Sequence, residues 1–150
     1  MDTDKSRIIE KALTDKVIGG FYAVYNELGA GYLESVYENA LVIALAEAGL
    51  AVAQQAALKV RFRSHVVGEF RVDLLVEGRL IVEVKAVSQL APAHEVQLVN
   101  YLKSSGIALG LLLNFGPRPN FKRRILSPAL PTSDSRQASP STPTYTHHLP

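Results

Sequence analysis

The order of hydrophobic patterns along this chain predicts a mixed α/β (α+β) protein, with helices packed on a small central mixed sheet. Three observations predict it. Residues 5–48 repeat apolar side chains at three- and four-residue steps, and residues 58–87 alternate or run apolar between turn signals. A helical stretch after Pro92 then leads into a second apolar run at 108–113.

The first helix is expected over 5–28, where Ile8, Leu13, Val17, Phe21, Val24 and Leu28 mark one face. Gly19 and Gly20 weaken its middle and predict a kink, and Gly29-Ala30-Gly31 ends it. The second is expected over 33–48, with Val36, Tyr37, Leu41 and Leu45 inward and Gly49 as its stop. Glu34 and Glu38 lie four residues apart in this helix and stack on one side.

Leu58, Val60 and Phe62 alternate with Lys59, Arg61 and Arg63, which assigns the basic residues to the outer face of a half-buried strand. Extended runs over 66–76 and 80–87 follow, joined by a turn at Glu77-Gly78. Pro92 opens a helix that runs to about Ser104 and closes near Gly106, with His94, Gln97 and Tyr101 along one side. The apolar run at 108–113 fits a strand covered on both faces, completing a βαβ unit with an expected right-handed crossover. The expected order is two helices, three strands, a helix and a strand.

The 150 residues allow one ordinary domain, expected over 1–126. From Ser127 the text is rich in Pro, Ser and Thr and nearly free of large apolar groups, so 127–150 is expected to be a disordered tail. A formal charge of +2 selects no partner, and the absence of cysteine excludes a disulfide framework and a zinc-thiolate site. Asp2, Asp4, Lys5, Arg7, Glu10 and Lys11 crowd the N-terminus. No signal peptide or membrane span is therefore expected, and a cytoplasmic protein is the default.

The chemistry concentrates in Arg71-Val72-Asp73-Leu74-Leu75-Val76 and Leu80-Ile81-Val82-Glu83-Val84-Lys85. Asp73, Glu83 and Lys85 interrupt an otherwise apolar hairpin, where an unpaired buried charge costs several kcal/mol as an order of magnitude. Glu83 and Lys85 are two apart and share a face of the sheet, and a bend or bulge would bring Asp73 to them. Two carboxylates offer hard oxygen ligands to Mg²⁺, and the lysine adds a positive charge beside a reacting group. The competing reading is an internal salt-bridge set on a sheet edge.

Asp73 followed by Glu83-Val84-Lys85, with a helix before the next strand, resembles the PD-(D/E)XK nuclease superfamily. Gly31-Tyr32-Leu33-Glu34-Ser35-Val36-Tyr37 resembles the signature of one branch, the GxxExxY protein family. Gln97-Leu98-Val99-Asn100-Tyr101-Leu102 and Asn114-Phe115-Gly116 are similar to further stretches of that branch, as is Gln54-Gln55. The resemblance covers about residues 8–126; Val72-Asp73 stands where the superfamily's name writes Pro-Asp.

The resemblance implies a restriction-endonuclease-like core and metal-dependent hydrolysis of phosphodiester bonds, with DNA placed before RNA. Asp73, Glu83 and the Val84 carbonyl would hold Mg²⁺ or Mn²⁺, and Glu34 would complete the site as a helical acid. Lys85 would position water or stabilise developing charge. Gln97 and Tyr101 would line the cleft, and Tyr37 would orient Glu34 or pack in the core. Lys122, Arg123 and Arg124, with Arg118, form a basic cluster that could neutralise phosphates or stand as a solvated helix end. The alternative function is a catalytically weak module of the same fold that binds nucleic acid or protein within a repair or defence complex. A homodimer or a subunit of a larger assembly fits either function.

Overall fold

A computed structural model of the chain describes residues 3–126. Three helices, α1 (Thr3–Leu28), α2 (Glu34–Glu47) and α3 (Pro92–Ser105), pack on a five-stranded sheet. The strands are β1 (Val52–Phe62), β2 (His65–Val76), β3 (Leu80–Lys85), β4 (Leu109–Asn114) and β5 (Asn120–Ile125), in the spatial order of the sequence. β3 and β4 are parallel and every other neighbouring pair is antiparallel, so the fold is α/β with a mixed sheet. No helix among the described residues is long and apolar enough to cross a membrane. The 127–150 tail lies outside the described residues.

Alternation in the strands builds two cores. Val82, Val84, Leu111 and Leu113 face Val17, Phe21, Tyr37 and Leu41 of α1 and α2. Ile81 and Leu112 face Leu98 and Leu102 of α3 on the opposite side. Each fully buried aliphatic side chain contributes about 1.5–3 kcal/mol, so β3 and β4, covered on both faces, are the anchor of the sheet.

Four expectations are corrected. α1 is one unbroken helix through Gly19 and Gly20. Gly20 serves close packing: a Cβ there would stand 2.9 Å from Leu45 Cδ2, so α2 approaches where α1 has no side chain. A fifth strand, absent from the expected order, covers the free edge of β4. The basic residues 122–124 therefore lie on an edge strand and not on a helix end. β1 also begins earlier than the alternation of Leu58, Val60 and Phe62 indicates, at Val52.

Tight connections hold the layers. Gly29 and Gly31 have φ of 73° and 113°, a region open to glycine and costly for other residues, and they turn the chain from α1 into α2. Tyr37 is fully buried; its hydroxyl donates to the Gly29 carbonyl and accepts from the Tyr32 N–H at 3.2 Å. Its ring stacks on Phe115 with centroids 4.6 Å apart. The tyrosine of the GxxExxY-like stretch is thus a core residue that pins the α1–α2 loop. His94 folds back on the start of α3, its Nδ1 accepting from the Ala91 N–H at 3.0 Å.

Candidate active site

The β2–β3 hairpin opens where its charges sit. Backbone pairing runs from Val76↔Leu80 to Leu74↔Val82 and stops. Beyond it, carboxylates satisfy the freed backbone groups, as buried amides require. Glu83 Oε2 accepts from the Asp73 N–H at 2.9 Å, and Asp73 Oδ2 accepts from the Val84 N–H at 2.7 Å. On its other side, β2 passes from Gln54↔Leu74 to Ala56↔Val72 without a Gln55–Asp73 pair. Gln55 has a left-handed φ of 52°, uncommon for a residue with a Cβ. Val72 and Leu74, two apart in one strand, pack on opposite sides of the sheet, so the alternation breaks at Asp73. The bend expected at Asp73 is this interruption of both ladders.

The helical acid in the fork is Glu38. Its Oε2 accepts from Gln54 Nε2 at 2.8 Å and from Gln55 Nε2 at 2.9 Å, and Gln55 Nε2 also reaches Asp73 Oδ1 at 3.2 Å. Gln55 therefore ties α2 to β2. Glu34, one turn earlier, is exposed in the first turn of α2 and makes no side-chain hydrogen bond among the described residues. The sequence held a signal for Glu38: it precedes Leu41 by three and Leu45 by seven residues, on the buried stripe of α2.

Negative charge accumulates in the fork. Burial pushes the Glu83 carboxyl up to about 8, and repulsion from Asp73 adds to it, while the Asp73 N–H and Lys85 oppose it. Burial also raises Asp73, opposed by the Val84 N–H, with Glu38 raising it further. Tyr101 on α3 is raised by burial first and then by the charges of Glu83 and Asp73, which places its hydroxyl within their field. Its ring stacks on Phe70 at 4.4 Å, whereas Gln97, one turn earlier, is exposed.

Lys85 is half-buried and follows Glu83 by two residues, on the same face of β3. Among the described residues it forms no salt bridge with Asp73 or Glu83, so the salt-bridge reading does not describe this cluster. Nor is either strand an edge. The Phe115 N–H donates to the Lys85 carbonyl at 2.7 Å. Asn114 then clamps the residues that follow: its Oδ1 accepts from the Val87 and Gly116 N–H groups, and its Nδ2 donates to the Val87 carbonyl, each at 3.0 Å. A Cβ on Gly116 would lie 1.8 Å from the Val87 oxygen, so only glycine fits. Asn114-Phe115-Gly116 is thereby a clamp holding the end of β3 that carries Lys85.

The basic cluster of β5 divides between faces. Arg124 pairs with Glu95 of α3, and Lys122 shares that side by alternation. Arg123 points to the other side, where it borders Arg7, Lys11 and Thr14 of α1.

A divalent ion fits the donor set of the fork. The ligands are carboxylate oxygens, and every one of the three acids lies in the field of the others. Among the described residues Glu38 Oε1 and Glu83 Oε1 accept no hydrogen bond, and neither oxygen is fully buried, although both side chains are largely covered. No three His, Cys, Asp or Glu side chains among the described residues gather as a ready-made cage. Two protein oxygens completed by water suit Mg²⁺, which keeps much of its hydration.

A comparison with curated proteins finds no match. The solved structure described as "Crystal structure of SSO0001" is similar over 75% of this chain and 58% of that one, with 15% identity and a TM-score of 0.49. The match to the PD-(D/E)XK nuclease superfamily spans residues 11–125, nearly all of the described fold. It contains the fork, the crossover helix α3 and both outer strands, and by it this chain belongs to the PD-(D/E)XK nuclease superfamily.

Proposed function

We propose that this chain is a metal-dependent nuclease of the GxxExxY branch, hydrolysing phosphodiester bonds of nucleic acid, with DNA as the first substrate to test. The observation that carries the reading is the opening of the β2–β3 ladder at Asp73 and Glu83. There two carboxylates replace backbone pairing within the field of Lys85 and Glu38. A purely structural hairpin would have continued its ladder with apolar residues at lower cost.

Asp73 and Glu83 would hold Mg²⁺ or Mn²⁺, with Glu38, in place of the expected Glu34, as the acid from α2. The ion supplies Lewis acidity toward the phosphate and lowers the pKa of bound water. The Val84 carbonyl remains a candidate ligand of the same site. Gln55 keeps Glu38 and Asp73 in register with each other through a single amide nitrogen. Lys85 brings a compact positive charge to the phosphate, where it offsets charge developing on the phosphoryl oxygens. Tyr101, rigid through its stack on Phe70, orients toward the same phosphate or its water, and Gln97 contacts the substrate from the exposed rim of α3. The clamp at Asn114 holds the Lys85 backbone still, and preorganisation of that kind is what a charged transition state rewards.

The test is a substrate panel: circular and linear DNA, single-stranded DNA and RNA, each with Mg²⁺, Mn²⁺ or chelator. Cutting that requires metal supports the reading. Salt-sensitive binding to nucleic acid without any cutting would instead select the alternative, a binding module of the same fold. Elution at twice the monomer mass would identify a homodimer.

A further inference from the structure

β1 and β2 pair out to Phe62↔His65, with a gap at Gln55–Asp73 and a register shift between Val60 and Arg61, but β2 pairs with β3 only over residues 74–76. From the fork outward, residues 56–72 are therefore a two-stranded ribbon that continues past the rest of the sheet. One face of it is covered: Ala56, Leu58, Phe70 and Val72 pack on the α3 side, with Phe70 stacked on Tyr101. The other face presents Lys59 and Arg71, both exposed, with Glu69 as the one acid between them, and Arg61, also exposed, follows the register shift toward the tip. The tip is a two-residue turn of Arg63 and Ser64, with φ of 50° and 70°, and the Arg63 guanidinium lies over the Phe62 ring at 4.8 Å.

The charge is concentrated there. Between residues 57 and 71 four cations oppose one acid, a net of +3, whereas the whole chain carries +2. The acidic fork stands at the root of this ribbon, through Arg71, whose Nη1 donates to the Gln55 carbonyl at 2.8 Å.

We propose that this ribbon enters the major groove of double-stranded DNA while the phosphate to be cut lies at the fork. The inference rests on the nuclease reading for the second half of that statement only. A two-stranded ribbon fits the major groove, about 12 Å wide, and not the minor groove of about 6 Å. The groove of an A-form RNA duplex is deep and narrow, which excludes it. Single strands are held by stacking on successive aromatic platforms, and the exposed aromatic ring of the ribbon, Phe62 near its tip, is covered by the Arg63 guanidinium. From Asp73 to the tip is eight residues, or about 26 Å at ~3.3 Å per residue. That reach equals about eight base pairs at ~3.4 Å each, so Arg61 and Arg63 meet the duplex most of a helical turn from the fork.

The experiment measures fluorescence anisotropy of a labelled DNA duplex with Ca²⁺ in place of Mg²⁺, across a series of salt concentrations. Wild type is compared with Arg61→Glu/Arg63→Glu, with Arg61→Gln/Arg63→Gln, and with Arg79→Glu, a charge change in the β2–β3 turn, beyond the other end of β2. Melting curves check that each variant is folded. The proposal expects the two ribbon variants to bind duplex DNA at least tenfold more weakly. For the neutral variant, the slope of log K against log salt becomes shallower by about two. Arg79→Glu binds like wild type. Unchanged affinity in the ribbon variants overturns the proposal, as does an equal loss in Arg79→Glu, or a loss that is larger for single-stranded DNA than for duplex. A dimer that separates into monomers in the ribbon variants with duplex affinity intact also overturns it, assigning the ribbon to self-association. Hydrolysis of bis(p-nitrophenyl) phosphate with Mn²⁺ reports the fork alone. Wild type failing in that assay counts against the nuclease reading, while the anisotropy still decides the ribbon.

Discussion

Two buried polar clusters lie at the same end of the sheet, and they are built on opposite principles. Asn114 is fully buried and neutral. Its amide meets the Val87 N–H and carbonyl, the Gly116 N–H and Asn120 Oδ1, using both its donor and its acceptor groups. Asp73 and Glu83, on the neighbouring strands, also satisfy backbone amides, yet they do so with groups whose charged forms their surroundings disfavour. A neutral amide would serve the backbone at the fork equally well, as Asn114 demonstrates. The difference supports the proposed reading, in which the carboxylates serve more than the fold and a bound cation would remove their conflict.

The comparison breaks most severely at Gly116. Gly116→Ala forces a Cβ into the Val87 carbonyl, and we expect no soluble folded protein, read by expression and circular dichroism. Asn114→Ala comes next. It strands several buried backbone groups at about 1–3 kcal/mol each, so the melting temperature should fall by more than about 10 °C. Its loss of activity should follow its loss of folded protein.

At the fork the signs reverse. Glu83→Gln should abolish metal-dependent cutting yet raise the melting temperature of the metal-free protein at pH 8. The Glu83 carboxyl is raised from 4.5 to about 8, so the folded state binds a proton that the unfolded chain releases between those values. That stabilisation is complete below about pH 4.5 and is lost as pH rises toward 8. Metal-free wild type should therefore melt at progressively lower temperature across this window, and the change should be shallower in Glu83→Gln. Mn²⁺ should restore wild type more at pH 8 than at pH 6, because the ion needs the carboxylate ionised.

A smaller effect is expected at Gln55, which bridges Glu38 and Asp73. Gln55→Ala should lower the cutting rate about tenfold by loosening the acids, with little change in melting temperature, since the bridge is partly exposed. Least of all, Arg124→Ala removes a partly exposed ion pair with Glu95 and should change stability by no more than about 1 kcal/mol.

Much of this was legible in the sequence, for physical reasons that also mark where legibility ends. Charges placed in an apolar hairpin singled out Asp73, Glu83 and Lys85, because burial makes such residues conspicuous. Periodicity placed α2, α3 and β4, whose inward faces are continuous. It failed for β5, whose residues Asn120 to Ile125 are mostly polar because an edge strand has only one covered side. Glu34 was favoured over Glu38 because it stands in the GxxExxY-like stretch; that Glu38 is the acid tied to Asp73 through Gln55 depends on how α2 sits over β1, which no spacing reveals. The left-handed Gln55 was invisible as well, since glutamine has no preference for that conformation and only the opening of both ladders imposes it. Tyr37 shows the opposite lesson: a residue singled out beside an acid is a core residue holding the loop before it.

The most direct test of the fork as a catalytic centre is the initial rate of cutting by Lys85→Ala beside wild type, on the best substrate of the panel with saturating Mg²⁺. Loss of one positioned charge at a developing phosphoryl charge should lower the rate about 10²–10³-fold, with the melting temperature nearly unchanged. A Lys85→Ala protein that cuts within threefold of wild type would contradict the account, and would move the chemistry away from β3.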